Sequence, residues 1–483
     1  MRDARGVVMK RRGPPNVPDP DGHPRPPASC APPPPRLAVP IQLDENAGPM
    51  RRRRRRSAPA SPRDSLSRRL RLRLDDAEEA ADSAGDPAGN PAGDPSAPPI
   101  AEASLAHPPG SSFAASSFAP SLIETSPSSR RLAAFSPGDF RVAAALGSGT
   151  FGRVHLATHV ESDTLVAIKT LSKSEMIATR QVANVRGERD ALARASACPF
   201  VTSYFGSAQD ARCVHFVLEY VPGGELFSHL RRVGRFAPSE TRFYAAEVTL
   251  ALAYLHGLKT AYRDLKPENV LLDARGHCKL ADFGFAKRVA RGHSGRTYTV
   301  CGTPDYIAPE VIDRRGHGFA VDWWSLGVLV FELSVGWPPF RARTSEGTYD
   351  NILRKPPGFP PAVFGDESNA SNASNASNAS NASNERSDPS EARGLRDLIA
   401  RLLRKDAKRR LGFGPGGARD VASHPWFAAV DWRGAERREM TPPVVPTIAS
   451  RADVRHFDAE ETHRPLEHLF ELTEEEQELF EDV

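Results

Sequence analysis

The stretch YRDLKPEN, Tyr262 to Asn269, is followed shortly by ADFG, Ala281 to Gly284. One aspartate stands five residues before an asparagine, and a second opens an Asp-Phe-Gly triplet. Transfer of a phosphoryl group from ATP to a hydroxyl needs this inventory. Asp264 would orient and deprotonate the acceptor, while Asn269 and Asp282 would hold Mg²⁺ on the triphosphate. A carboxylate triplet in a turn is ordinarily a solvated loop, but here both spacing and flanking residues match a catalytic signature.

The motifs upstream keep the order that this chemistry requires. LGSGTFGRV, Leu146 to Val154, sets Gly147, Gly149 and Gly152 in a G-x-G-x-x-G-x-V pattern. Glycine lets backbone approach phosphate oxygens closely. Alone the pattern is weak, since a dinucleotide-binding turn looks similar. The adjoining segment HLATHVESDTLVAIK alternates like strands and does not open a helix. Its end, Val166-Ala167-Ile168-Lys169, places an ammonium on a strand within reach of the α- and β-phosphates. The segment Ser174 to Arg194 reads as a helix, with Met176, Val182, Val185 and Leu192 as inward-facing positions. Glu175, Glu188 and Asp190 are its acidic candidates to pair with Lys169, and periodicity does not separate Glu188 from Asp190. Downstream, CGTPDYIAPE ends in Ala308-Pro309-Glu310, and DWWSLGVLVFEL, Asp322 to Leu333, reads as a buried core helix. That run is far short of the roughly 18 to 20 residues that cross a bilayer.

Together these motifs resemble the protein kinases, over about Phe140 to Trp426 and more loosely through a C-terminal tail. The match to FVLEYVPGGELFSHLRRVGRFAPSETRFYAAEV, DFGFAKRV and CGTPDYIAPEVI narrows the resemblance to the AGC group of Ser/Thr kinases. Within it the chain is similar first to the cAMP-dependent catalytic subunit and second to the cGMP-dependent kinases. The resemblance implies an α+β, bilobal fold: a β-rich N-lobe (140–221), a mainly helical C-lobe (222–427) and a tail (428–483). It selects Glu188 as the partner of Lys169, and Arg410, with Arg409 as rival, as the partner of Glu310. Catalytic roles fall to Asp264, Lys266, Lys169 and Thr303. The ATP site would comprise Leu146, Gly147, Ser148, Gly149, Thr150, Phe151, Gly152, Val154, Ala167, Lys169, Glu188, Glu219, Val221, Leu271 and Phe457. Ala281 stands where relatives commonly have Thr. A silent scaffold would normally have lost Lys169, Asp264 or Asp282, and all are present.

The resemblance also implies substrates and control. Glu225, Glu268 and Glu332 match positions that bind arginines two and three residues before the phosphoacceptor, where carboxylate and guanidinium pair bidentately. Val300, Pro304 and Ile307 would line a hydrophobic subsite after it. Thr299 is the implied activating phosphorylation site, with Arg263 and Lys287 as its cationic partners. A third cation, usually His, is Asn184 here. Positive charge near Cys301 would favour its thiolate, while a buried, inert cysteine is the ordinary alternative. Phe457 in HFDAEE would lie over the adenine pocket, with Glu460 where a Tyr is usual. Phe480 would dock on the N-lobe and Val483 replaces a terminal aromatic. No cyclic-nucleotide-binding domain fits in the chain, so cyclic-nucleotide control would come from a separate regulatory chain. Tyr298 and Tyr349 would be its aromatic anchors on the C-lobe, or Tyr349 packs only on its own helix.

Composition brackets the domain. Residues 1–139 are rich in Pro, Ala, Ser, Arg and Asp and are expected to be disordered. Six arginines, Arg51 to Arg56, read as a solvated tail or a nuclear-targeting signal. No aromatics are interleaved, so sequence-specific nucleic-acid recognition is not expected. Ser57 after them fits the inferred substrate pattern and is an autophosphorylation candidate. Five Ser-Asn-Ala triplets from Ser368 to Ala382 form a surface insertion, about 366–389. Their N-x-S sequons matter only in a secretory compartment, and no signal peptide is evident. Position 2 is not Gly, which excludes myristoylation on this start site. Five unpaired cysteines suit a reduced compartment, cytoplasmic or nuclear. The tail from Phe457 to Val483 is acidic, with eleven Asp and Glu against one Arg.

Overall fold

The computed structural model describes residues 135–149, 152–289, 296–365, 388–457, 472–481 and 483. The arginine run, Ser57, the Ser-Asn-Ala triplets, Thr150, Phe151 and Glu460 lie outside the described residues.

Alternating β-branched segments form one antiparallel sheet in the spatial order β1-β2-β3-β5-β4. Its strands are β1 (Phe140–Gly149), β2 (Gly152–His159), β3 (Thr164–Ser172), β4 (Tyr204–Gln209) and β5 (Cys213–Glu219). Described backbone begins ahead of the sheet: Phe135 meets Phe140 edge-to-face at 5.3 Å, and Ser136 caps a short turn. The β1–β2 register pairs Gly149 with Gly152, and the β2–β3 register pairs Gly152 with Leu171. A Cβ on Gly152 would lie 2.0 Å from Thr170 O, so only glycine fits there, whereas one on Gly147 would meet nothing within 4 Å.

The helix read as continuous from Ser174 to Arg194 is in fact two, α1 (Lys173–Ala178) and α2 (Val182–Ala195). The chain breaks at Arg180, whose φ of 55° is left-handed and incompatible with helix. Met176, Val185 and Leu192 are buried as expected, and Val182 is half-buried.

The other lobe is built on α3 (Leu226–Val233), α4 (Pro238–Gly257), α5 (Ala320–Val335), α6 (Ser345–Arg354) and α7 (Pro389–Leu402). Every residue of α5 is buried, which is why its sequence is apolar all round rather than striped. Among the described residues no helix is long and apolar enough to cross a membrane. Trp324 of α5 stacks on Phe340 at 5.5 Å. Arg410 closes the lobe: its Nη1 and Nη2 donate to Glu310 Oε1 and Oε2 at 2.6 and 2.8 Å, both partners being buried. Arg409 is exposed and pairs with Asp406 instead. Removing one partner of such a buried pair typically costs about 3–5 kcal/mol. The insertion ends earlier than the sequence suggests, because Asp388 caps α7 and Pro389 is its first residue.

The tail returns to both lobes. Gly223 and Gly224 seat it: a Cβ on Gly224 would collide with His456 O at 2.5 Å, and one on Gly223 with Pro446 at 2.6 Å. Phe480 is fully buried against the sheet lobe with Lys173 Nζ 5.3 Å from its ring centre. Arg186 of α2 donates to Leu479 O at 2.7 Å, and Ser207 of β4 to Val483 O at 2.7 Å.

Candidate active site

Three segments distant in sequence meet at Lys169. Its Nζ donates to Glu188 Oε1 at 2.6 Å and to Asp282 Oδ1 at 2.9 Å. Burial opposes the ammonium, but the two carboxylates outweigh it and hold its pKa above the ordinary range. Lys169 in turn holds the Asp282 carboxyl below its usual range, while burial pushes Glu188 up. Asp190 is turned away and pairs with its neighbour Arg189 at 2.8 Å.

A second cluster surrounds Asp264, which is buried and whose carboxyl burial pushes up. Asn269 donates through Nδ2 to Asp264 Oδ2 at 2.7 Å and to Asp264 O at 2.9 Å. Lys266 Nζ lies 3.0 Å from Asp264 Oδ2 and donates to Thr303 Oγ1 at 3.1 Å; that hydroxyl reaches Asp264 Oδ1 at 3.5 Å. Both catalytic segments hold strained backbone: φ is 69° at Arg263 and 50° at Asp282. The buried Asp322 clamps the first, accepting from Tyr262 N at 3.0 Å and Arg263 N at 2.7 Å. Tyr262 clamps the second, its hydroxyl donating to Ala281 O and its ring packing edge-on against Phe283 at 5.2 Å. The sequence places Asp322 on a core helix and gives no sign of this role.

Between the clusters and the sheet lies a cavity of about 270 Å³. Leu146, Val154, Ala167, Val221 and Leu271 give it apolar walls, and Gly147, Gly152, Lys169, Glu188, Glu219, Asn269 and Asp282 line it too. Phe457 from the tail closes one side, 6.1 Å from the Tyr220 ring. Ser148 and Gly149 end β1 at the mouth's hairpin. An apolar slot lined also by a fixed cation, a half-exposed carboxylate and the glycine backbone of Gly147 and Gly152 suits a flat heterocycle bearing phosphates and a divalent cation.

The comparisons with known proteins agree with this geometry. A family model described as Protein kinase domain matches residues 140–427. The chain belongs to the protein kinase family. It is 42% identical to the Homo sapiens cAMP-dependent protein kinase catalytic subunit PRKX over 67% of this chain and 81% of that protein. It is 41% identical to the Saccharomyces cerevisiae cAMP-dependent protein kinase type 3, over 67% of this chain and 73% of the other. Against the Mus musculus serine/threonine-protein kinase Sgk1 it is 38% identical, over 68% and 70%. The kinase is thus a serine/threonine protein kinase of the AGC group, similar to cAMP-dependent catalytic subunits.

The remaining residues of the kinase fall into two groups. Glu268 and Glu332 sit in an acidic cluster with Asp305, a residue that no sequence motif singles out. Tyr306 donates to Glu332 Oε2 at 2.6 Å, and burial with nearby carboxylates holds Glu332 up at about 7. Glu268 Oε2 and Asp305 Oδ1 are buried with no hydrogen-bond partner among the described residues. Glu225 bridges to Leu271 and lines the same cavity as Glu268. Pro304 is half-buried, Ile307 buried and Val300 40% exposed.

The second group surrounds Arg263. Its guanidinium donates to Phe285 O at 2.7 Å and reaches Thr297 Oγ1 at 3.5 Å and His317 Nε2 at 3.4 Å. Thr299 is exposed, as is Lys287, whose pKa is lowered by burial and by Arg263. Burial and Arg263 push His317 down to about 4. No sequence signal marks His317, a single histidine between glycines. Asn184 hydrogen-bonds Gln181 instead of this group. At Cys301 the ordinary alternative, a buried thiol, fits: burial raises its pKa more than Arg263 and Lys287 lower it. Among the described residues no disulfide forms.

Replacing Asp264 by Asn should lower kcat by roughly three orders of magnitude or more with the ATP KM little changed, because orientation of the acceptor hydroxyl is lost. Steady-state kinetics with a basic peptide checks this. Near-wild-type turnover would remove Asp264 from the chemistry.

Proposed function

We propose that the kinase phosphorylates Ser or Thr in Arg-Arg-x-Ser/Thr sequences, using ATP and Mg²⁺. The observation carrying this reading is the acidic cluster. Glu268 and Asp305 keep buried oxygens unpaired among the described residues, and burial with nearby carboxylates raises Glu332 to about 7. Crowded carboxylates short of cations cost free energy that an incoming guanidinium would relieve, with bidentate geometry adding specificity.

ATP with Mg²⁺ would supply the transferable phosphoryl group. Asn269 and Asp282 would hold the cation, Lys169 the phosphates, and the aliphatic walls with Phe457 the adenine. Asp264 would accept the hydroxyl proton, and Lys266, bonded to both Asp264 and Thr303, would keep the carboxylate turned towards the acceptor. Thr299 would be phosphorylated for full activity. Arg263 reaches Thr297, two residues before it, and lowers the Lys287 pKa, so negative charge added at Thr299 would relieve the repulsion between the two cations.

Glu268→Ala should raise KM for Arg-Arg-x-Ser peptides at least tenfold more than for peptides lacking the arginine two residues before the acceptor. The wild-type KM for the first peptide should also rise as pH falls from 8 to 6, since Glu332 loses its charge below about 7. Equal effects on both peptides would remove Glu268 from arginine recognition.

A separate cyclic-nucleotide-binding chain is the proposed inhibitor, docking through Tyr298, which is 63% exposed, and Tyr349. Tyr349 is half-buried and packs partly on the core, so it would offer the smaller anchor. Tyr298→Ala should weaken inhibition by a regulatory subunit at least tenfold, as loss of an aromatic anchor does. Inhibition unchanged by that variant would place the contact elsewhere.

A further inference from the structure

A second cavity, of about 280 Å³, opens beside the nucleotide site, between α3 and the tail. Its walls are Ser228, His229 and Arg232 from α3 and Arg455, His456 and Phe457 from the tail. Among the described residues no acidic side chain lines it. His229 is buried, and its Nε2 donates to Gly223 O at 2.8 Å. Its Nδ1 is therefore the unprotonated nitrogen and accepts from Arg232 Nη2 at 2.6 Å. The imidazole works as a fixed bracket for the guanidinium, and burial keeps it neutral by lowering its pKa. Arg455 uses its Nε on Asp453, at 2.8 Å. Asp453 is otherwise spent on the backbone N–H groups of Ala449 and Arg455, at 2.6 and 3.1 Å. Among the described residues nothing takes the Nη groups of Arg455. His456 is fixed in turn, its Nε2 bonded to Thr447 O at 3.0 Å.

Two arginines thus face one concavity from two different elements, each held by a neighbour that leaves terminal N–H groups over. The one carboxylate that meets either guanidinium among the described residues is Asp453, on Arg455 Nε, so two cations face the concavity against one acid, and a bound dianion would add paired, charge-assisted hydrogen bonds. We propose that this cavity is a binding site for a phosphate group, free or as a small phosphomonoester, held by Arg232 and Arg455 with Ser228 Oγ donating. Because Phe457 lines both cavities, the bound anion would also fasten the tail segment that closes the nucleotide site.

The test is calorimetric titration of inorganic phosphate into the full chain saturated with adenosine. Binding in the millimolar range is expected, weakened about tenfold in Arg232→Gln and in Arg455→Gln and largely kept in Arg455→Lys. Both arginines are exposed, so the variants should melt at the wild-type temperature. O-phosphoserine in place of phosphate distinguishes the sources: tighter binding indicates a phosphoester ligand, equal binding the free ion. Phosphate binding that is absent, or lost in Lys169→Met but unchanged in both arginine variants, would overturn the proposal.

Discussion

The ammonium of Lys169 is the point on which the rest of the site depends. One nitrogen ties β3 to Glu188 on α2 and to Asp282 in the loop after the short strand Cys278–Leu280, so two lobes and two carboxylates share a single charge. The arrangement is stable only as a unit. Burial alone would neutralise Glu188 or deprotonate Lys169, and each holds the other ionised. Hence α2 must lie close to the sheet and the Asp-Phe-Gly turn must face inward, with Phe283 fully buried, for either to be satisfied.

What that charge organises is a backbone under strain. Arg263 and Asp282 adopt left-handed φ values that cost about 1 kcal/mol or more each. The helix Ala320–Val335 offsets that cost: as a buried rod it carries Asp322, whose two oxygens take three donors, the N–H groups of Tyr262 and Arg263 and His256 Nε2. The apolar run that looks like mere core filling is therefore the anvil on which the catalytic loop is set. The glycine pair Gly223–Gly224 plays a similar part for the tail, since only side-chain-free backbone lets His456 and Phe457 come so near the cavity.

Much of this is legible in the residues. The glycine-rich hairpin, the strand lysine and the two aspartates have spacings that chemistry dictates, and Gly147, Gly152, Lys169 and Asp282 line one cavity. Periodicity does not separate Glu188 from Asp190, because both sit on one short helix; burial separates them. The break at Arg180 is invisible in the sequence because no glycine or proline marks it. Asp305 and His317 carry no signal, since their roles arise from neighbours more than ten residues away that only folding brings together. At Cys301 the sequence leaves thiolate and inert thiol open, and the desolvation that decides for the thiol is set by folding.

The central claim is that a nucleotide site and an arginine-reading acidic cluster act on one acceptor hydroxyl. The most direct measurement is phosphorylation of a degenerate Ser/Thr peptide library by the purified kinase with ATP and Mg²⁺. Strong enrichment of arginine two and three residues before the acceptor, and of an apolar residue just after it, is the expected result. Phosphorylation without arginine selection, or selection of acidic residues at those positions, would contradict it.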